Sequence, residues 1–310
     1  MPTTTAPARW SAADIPDQTG RTAVVTGANS GLGLETTREL ARHGAHVIMA
    51  VRNLDKGTAA AEQIRAQIPG ARLELRRLDL ADLDSVRAFA AGDFPALDLL
   101  INNAGVMMPP LTRTQQGFEL QVGANHLGHF ALTALLWPHL ADAEAARVVT
   151  VSSGLHKRGA IDFEDLSYTS RPYSPSGAYA QSKFANVLFA LELDRRLRAA
   201  GLAAASLLAH PGYAATNLQT SGPTGILARL GGLGNVLLAQ SAADGALPQL
   251  YAATAPEATS GQFIGPSRLG EMRGSPKVVR AIPSAEDPQL AARFWALSET
   301  LTSTPFTIKS

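Results

Sequence analysis

The stretch Ser176 to Leu191, SGAYAQSKFANVLFAL, sets a tyrosine and a lysine four residues apart, Tyr179 and Lys183. On a helix such a pair lies on one face, about a turn apart. A phenol titrates near ~10 and is a poor acid or base at neutral pH unless a cation favours its phenolate. Lowering it by about two to three units takes roughly 3–4 kcal/mol, which one ammonium plus a second positive charge can supply in a partly dry site. The spacing therefore points to proton exchange with an oxygen and predicts that Lys183 lowers the Tyr179 phenol. The bland alternative is a surface pair adding about 0.2–0.5 kcal/mol to a helix. A second pair, His126 and His129, has three-residue spacing and no plausible third ligand, so no metal site is expected.

The elements that must hold these residues follow from periodicity. Ala180, Phe184, Val187, Leu188 and Leu191 recur as one buried helical face. Far upstream, Arg21 to Thr26 reads as a strand that ends in Gly27-Ala28-Asn29-Ser30-Gly31-Leu32-Gly33, and Leu34 to His43 continues as a helix. Glycines in such a turn let the backbone approach a pyrophosphate, and the N–H groups at the helix start face its charge. The spacing here is G-x-x-x-G-x-G rather than G-x-G-x-x-G. Gly27, Asn29, Ser30, Gly31, Leu32 and Gly33 form the expected cradle.

His46 to Val51 is a second strand, followed by Arg52-Asn53 instead of an acidic residue. A carboxylate there would accept from ribose hydroxyls, whereas a guanidinium can grip a 2′-phosphate, so NADP(H) is favoured over NAD(H). The oxidised nicotinamide ring would then be the second positive charge beside Tyr179. The competing reading of Arg52 is a solvated strand-end charge. Leu54 to Ile68 reads as helix, and Arg72 to Arg77 as a third strand that delivers Asp79 and Leu80, with Asp79 placed to meet an adenine or to cap the next helix. Leu97 to Ile101 is a fourth strand running into Asn102-Asn103-Ala104-Gly105, a segment suited to the crevice at strand carboxyl ends. Gln115 to Leu136 is helical in period, and Arg147 to Val151 is a fifth strand opening into Ser152-Ser153. A loop excursion over 154–178 separates these serines from Tyr179. Ala203 to Leu208 is a sixth strand ending in His210-Pro211-Gly212-Tyr213 and then Thr216; Ser241 to Ala253 is a helix and Gly261 to Ile264 a short last strand.

Strands alternating with helices predict an α/β fold: one doubly wound, Rossmann-type parallel sheet of about seven strands with helices on both faces. The domain spans 19–310, after an N-terminal arm over 1–18 that contains three prolines and is either poorly ordered or laid on the surface. With 310 residues, 45% of them hydrophobic, the chain can bury the core of one large domain. A net charge of +1 without long like-charge runs suggests no nucleic acid and no anionic membrane as partner. The chain has no cysteine, which fits a reducing cytoplasm, and its start carries neither a signal peptide nor a spanning helix. Thr224 to Ala239, TGILARLGGLGNVLLA, is apolar with glycine interruptions; it is either a core-packed helix pair or part of a mobile lid over 217–240 that closes on an apolar ligand.

Together, T-G-A-N-S-G-L-G at 26–33, N-N-A-G at 102–105, N-H-L-G at 125–128, S-S at 152–153, Y-A-Q-S-K at 179–183 and P-G at 211–212 resemble the short-chain dehydrogenase/reductase family over about residues 20–265. V-R-N at 51–53, A-N-H-L-G-H-F at 124–130 and S-K-x-A-N-V-L-F at 182–189 look like its retinol dehydrogenase and WW-domain oxidoreductase branch. No N-terminal anchor helix like that of the membrane-bound retinol dehydrogenases is read here, and the Ala-rich character looks bacterial. The resemblance implies that Tyr179 exchanges a proton with the substrate oxygen and that Lys183 tunes it and bonds the nicotinamide ribose. Ser153 would hold the substrate oxygen and Asn125 a proton-relaying water, with Ser152 a structural hydroxyl. Asn103, Ala104 and Gly105 would line the cofactor, and Pro211 and Thr216 would touch its carboxamide. It also implies possible self-association through the helices carrying Asn125 and Tyr179. The expected activity is NADP(H)-dependent hydride transfer to or from an apolar carbonyl or alcohol. An NADP-binding sensor or scaffold without turnover is the alternative from another functional class, and an epimerase or dehydratase using transient hydride transfer is disfavoured because too few C-terminal residues remain for its substrate domain.

Overall fold

The computed structural model describes residues 9–213 and 240–308. Residues 9–18 lie on the domain surface, where Ile15 is buried and Trp10 meets Tyr251 edge-on at 5.3 Å. The chain then runs β1 (Thr22–Thr26), α1 (Gly31–Arg42), β2 (His46–Val51), α2 (Leu54–Gln67), β3 (Arg72–Arg77), α3 (Leu83–Ala90) and β4 (Leu99–Asn102). It continues with a single turn α4 (Leu120–Val122), α5 (Gly128–Ala141), β5 (Arg147–Val151), α6 (Pro175–Ala199) and β6 (Ala205–Ala209). The described C-terminal part is α7 (Ala242–Thr254), β7 (Phe263–Arg268), β8 (Arg273–Val279) and α8 (Pro288–Thr302).

The strands form one sheet in the order β3-β2-β1-β4-β5-β6-β7-β8, parallel throughout except for the β7–β8 pair. Central strands such as Thr22–Thr26 and Leu99–Asn102 are buried along their whole length, because helices cover both faces and leave no polar side for alternation. Leu40, Ile64 and Leu250 from α1, α2 and α7 join the core on one face; Phe89, Phe130 and Phe189 from α3, α5 and α6 join it on the other. The sequence predicts about seven strands, and among the described residues the sheet has eight. The extra strand, RGSPKVV, carries Gly274, Pro276 and charges, which read as loop; an edge position tolerates a residue with no N–H to give the ladder.

The helix predicted from Gln115 begins only at Leu120. Before it the chain makes a tight turn in which Gly117 N donates to Thr114 O, and the buried Glu119 carboxylate then accepts from Gln121 N and Val122 N, both at 2.9 Å. Between α4 and α5 one π-helical turn spans Gly123–Leu127. Across α5 and α6 lies the chain's own α8: Trp295 stacks on Phe189 at 5.7 Å and meets Phe130 edge-on at 5.1 Å. The helices on which the resemblance puts self-association thus pack against this chain's C-terminal helix.

Candidate active site

The order of the strands reverses between β1 and β4, and the side chains singled out by sequence gather at this end of the sheet. Tyr179, near the start of α6, is buried, with its hydroxyl on the side of Ser153. Burial pushes the phenol up to about 12, opposed by the nearby Ser153 hydroxyl. The sequence predicts the reverse direction. The Lys183 ammonium sits 5.8 Å from the Tyr179 ring centroid and donates to Val151 O at 3.1 Å, and burial rather than its charge dominates the phenol. Burial also brings Lys183 down to about 8. One dry pocket thus resists both charged forms.

Ser153 starts a 3-10 turn, Gly154–Arg158, with its Oγ accepting from Leu155 N at 3.2 Å. Ser152 donates to Lys183 O at 2.8 Å and so ties the end of β5 to α6, the structural part expected of it. Asn125 stands in the π turn. Its amide donates to Val106 O at 3.0 Å and Ser182 Oγ at 2.9 Å, and its Oδ1 accepts from Val106 N at 2.7 Å. A Cβ placed on Gly105 would lie 3.1 Å from Asn125 Oδ1 and 3.6 Å from Lys183 Nζ, so the loop after β4 passes directly over both.

The glycine turn closes as tightly as its sequence suggests. A Cβ on Gly33 would stand 2.3 Å from Gly27 O, and Ser30 makes no side-chain cap at the start of α1. The first N–H groups of that helix are therefore offered to an anion, which fits a pyrophosphate bedded on Gly31, Leu32 and Gly33. Asn103 is held through its amide: its Nδ2 donates to Thr26 O at 2.8 Å and its Oδ1 accepts from Gln249 Nε2 at 3.2 Å, so it braces the turn. Thr26 and His129, which lie in the T-G-A-N-S-G-L-G and A-N-H-L-G-H-F motifs, act as supports here, and so does Gln249, which no local pattern marks.

Arg52 is exposed at the end of β2, and Asn53 caps α2 by accepting from Lys56 N at 2.9 Å. The cap of α3 is Asp82, which accepts from Asp84 N at 3.0 Å; Asp79 instead accepts from Ala81 N at 3.0 Å, which removes its capping reading. Leu80 is buried under the same turn and Ala104 is half-buried beside it. Pro211 O accepts from Gln240 Nε2, fixing the chain just past β6. Thr216, and all of the 217–240 lid segment except Gln240, lie outside the described residues.

The two histidines are core residues. His126 Nε2 lies 2.9 Å from Ser298 Oγ and its ring packs on Phe294 at 4.7 Å. His129 Nδ1 donates to Asn125 O at 3.0 Å, and its Nε2 faces Thr26 Oγ1 at 2.9 Å.

The short chain dehydrogenase family profile matches residues 21–225. The chain is 42% identical to human (Homo sapiens) retinol dehydrogenase 13 over 290 residues, which cover 91% of this chain and 84% of that one. A crystal structure of a protein from Mycobacterium Paratuberculosis is similar with a TM-score of 0.82 and 48% identity, covering 97% of this chain and all of the other. A crystal structure of a short chain dehydrogenase from Escherichia coli CFT073 complexed with NADPH is similar with a TM-score of 0.61 and 25% identity, covering 79% of this chain and 95% of the other.

Proposed function

The chain belongs to the short chain dehydrogenase family, in its retinol dehydrogenase-like branch, and from that premise we propose that it moves a hydride between NADP(H) and the carbonyl or alcohol of an apolar small molecule. The observation that carries this reading is the convergence of the Tyr179 and Ser153 hydroxyls beside the Gly105 loop, which passes over Lys183 and Asn125. Two hydroxyls meeting at one point can both bond a single substrate oxygen. Ser153 would orient that oxygen, and Tyr179 would give it a proton in reduction or take one in oxidation. Lys183 would keep N–H donors for a ribose, while Asn125 fixes the loop over it. The uncapped start of α1 would bind the pyrophosphate, and Arg52 would grip a 2′-phosphate. The cofactor, when bound, supplies or accepts the hydride.

Two features support the finer choices. Arg52 is exposed where a 2′-phosphate would lie, and a relative complexed with NADPH shares the fold. The apolar substrate class rests on the composition of 217–240 and on the retinol named for the human relative. Among the described residues no helix is long and apolar enough to cross a membrane.

A panel of ketones, aldehydes and alcohols graded by chain length, run with NADPH and NADP, tests the reading. Turnover should rise with apolar length; activity confined to small charged compounds would overturn the apolar class, and NADPH binding without turnover of any compound would leave a sensor. Replacing Arg52 with Asp should weaken NADPH binding about tenfold while sparing NADH, the scale of one lost charge-assisted pair. An unchanged preference would make Arg52 a surface charge.

A further inference from the structure

The antiparallel β7–β8 hairpin lies beyond residue 225, where the family match ends, yet its tip comes back to the crevice. Tyr213 N donates to Met272 O at 2.9 Å, which seats the tip on the segment that follows β6. Within the tip, Leu269, Gly270 and Glu271 all take positive φ, 52°, 62° and 68°, as a tight hairpin turn needs.

The Glu271 carboxylate reaches two segments at once. One oxygen, Oε2, accepts from Lys157 Nζ at 2.9 Å and faces His210 Nε2 at 3.4 Å. Lys157 is four residues past Ser153 in the same 3-10 turn, and His210 immediately precedes Pro211. Gly212 N donates to His210 Nδ1 at 3.3 Å, so the neutral ring carries its proton on Nε2, which lies close to the Glu271 carboxylate. Among the described residues that buried Nε2 makes no hydrogen bond, so its link to Glu271 is electrostatic proximity. Space for the ring depends on Gly265, where a Cβ would stand 2.2 Å from Nε2. Phe263 fills the gap between the two walls, 5.3 Å from the His210 ring and 5.2 Å from that of His156, and His156 Nδ1 donates to Ser153 O at 2.6 Å.

We propose that Glu271 is a positioning residue: its single carboxylate ties the turn that carries Ser153 to the segment entered through His210, and so holds the two walls of the crevice in register. This rests on the reading of Ser153 and Tyr179 as the reacting centre. Glu271 touches neither substrate nor cofactor; its effect passes through Lys157 and His210. The ion pair is partly exposed, with side-chain exposures of 43% for Lys157 and 21% for Glu271, so it adds little to global stability and its loss should be felt locally.

The test uses the full chain as wild type, Glu271→Ala, Glu271→Gln and Lys157→Met, with amide hydrogen exchange beside steady-state kinetics. In Glu271→Ala, exchange over 154–158 and at 212–213 should both accelerate, about tenfold, while the thermal midpoint moves by only about 2–4 °C. Lys157→Met should loosen the first segment alone. Turnover in Glu271→Ala should fall about fivefold to twentyfold with the NADPH dissociation constant within about twofold of wild type, because only the reacting end of the cofactor site is misaligned. Glu271→Gln keeps an acceptor oxygen and should restore most of both readouts. Unchanged exchange in either segment, turnover unaltered despite faster exchange, or a glutamine no better than alanine overturns the proposal. If the wild type turns over nothing in the panel, the hydride-transfer reading fails, and the exchange measurements still decide whether Glu271 ties the two walls.

Discussion

On α6, Tyr179 and Lys183 are buried with the phenol up to about 12 and the ammonium down to about 8. On the π turn and α5 beside it, His126 and His129 are buried with their imidazoles down to about 3 and about 4. Burial is the largest cause in all four cases, so a shifted pKa does not by itself separate a reacting pair from a packed one. The partners separate them. His129 satisfies both ring nitrogens, one on Asn125 O and one at Thr26 Oγ1, and His126 sits among Phe130, Phe189 and Phe294 with its Nε2 on Ser298. Lys183 uses one of three donors on Val151 O, and the Tyr179 hydroxyl lies beside the half-buried Ser153. The histidines pack into the core, where His126 Nδ1 has no partner among the described residues, whereas Tyr179 and Lys183 keep hydrogen-bonding capacity beside Ser153.

The largest effect that sharpens this contrast is expected from Tyr179→Phe. Turnover should drop at least about 10²-fold, the lower range for a positioned acid/base, with NADPH affinity within about twofold by fluorescence titration. Retained turnover would falsify the part given to the hydroxyl.

Next comes Lys183→Met, where function and stability should move in opposite directions. The folded chain holds this lysine near 8 against an ordinary 10.5, so a buried ammonium penalises folding fully below about 8, and the penalty fades as pH rises to 10.5. Its size is on the order of 3 kcal/mol. The variant should lose most turnover yet melt several degrees higher than wild type at pH 7, with the gap closing toward pH 10.5. Equal melting curves at pH 7 would mean that the site is wetter than its burial implies.

His126→Leu should give the smallest effect at neutral pH: turnover within about twofold, and a stability cost of about 1 kcal/mol for the lost bond to Ser298. Acid separates it further. The unfolded histidine takes up a proton near 6.5 and the folded one only near 3, so wild-type stability is lost as pH falls between those values, and the variant should lose less of it. A tenfold drop in turnover at pH 7 would place His126 in the site and collapse the contrast.

The sequence by itself determined the alternation of elements and the pieces of the site. Strands β2, β3 and β5 occupy the predicted residues, and the glycine turn, the two serines and the Tyr179–Lys183 face stand where period and spacing put them, because each is encoded in contiguous residues. Tertiary structure decided what those pieces meet. Asn103 braces Thr26 from 77 residues away and receives Gln249 from 146 residues away, which no local pattern announces. Asp82 rather than Asp79 caps α3, a two-way choice settled by how β3 ends. The edge strand β8 and the inward carboxylate of Glu271 came from a stretch whose glycines, proline and charges resemble loop. The direction of the Tyr179 shift belongs here as well. Spacing says that a cation is near, but whether it outweighs desolvation depends on where the ammonium points and how dry the pocket is, and both are set by the packing of β5 and α6.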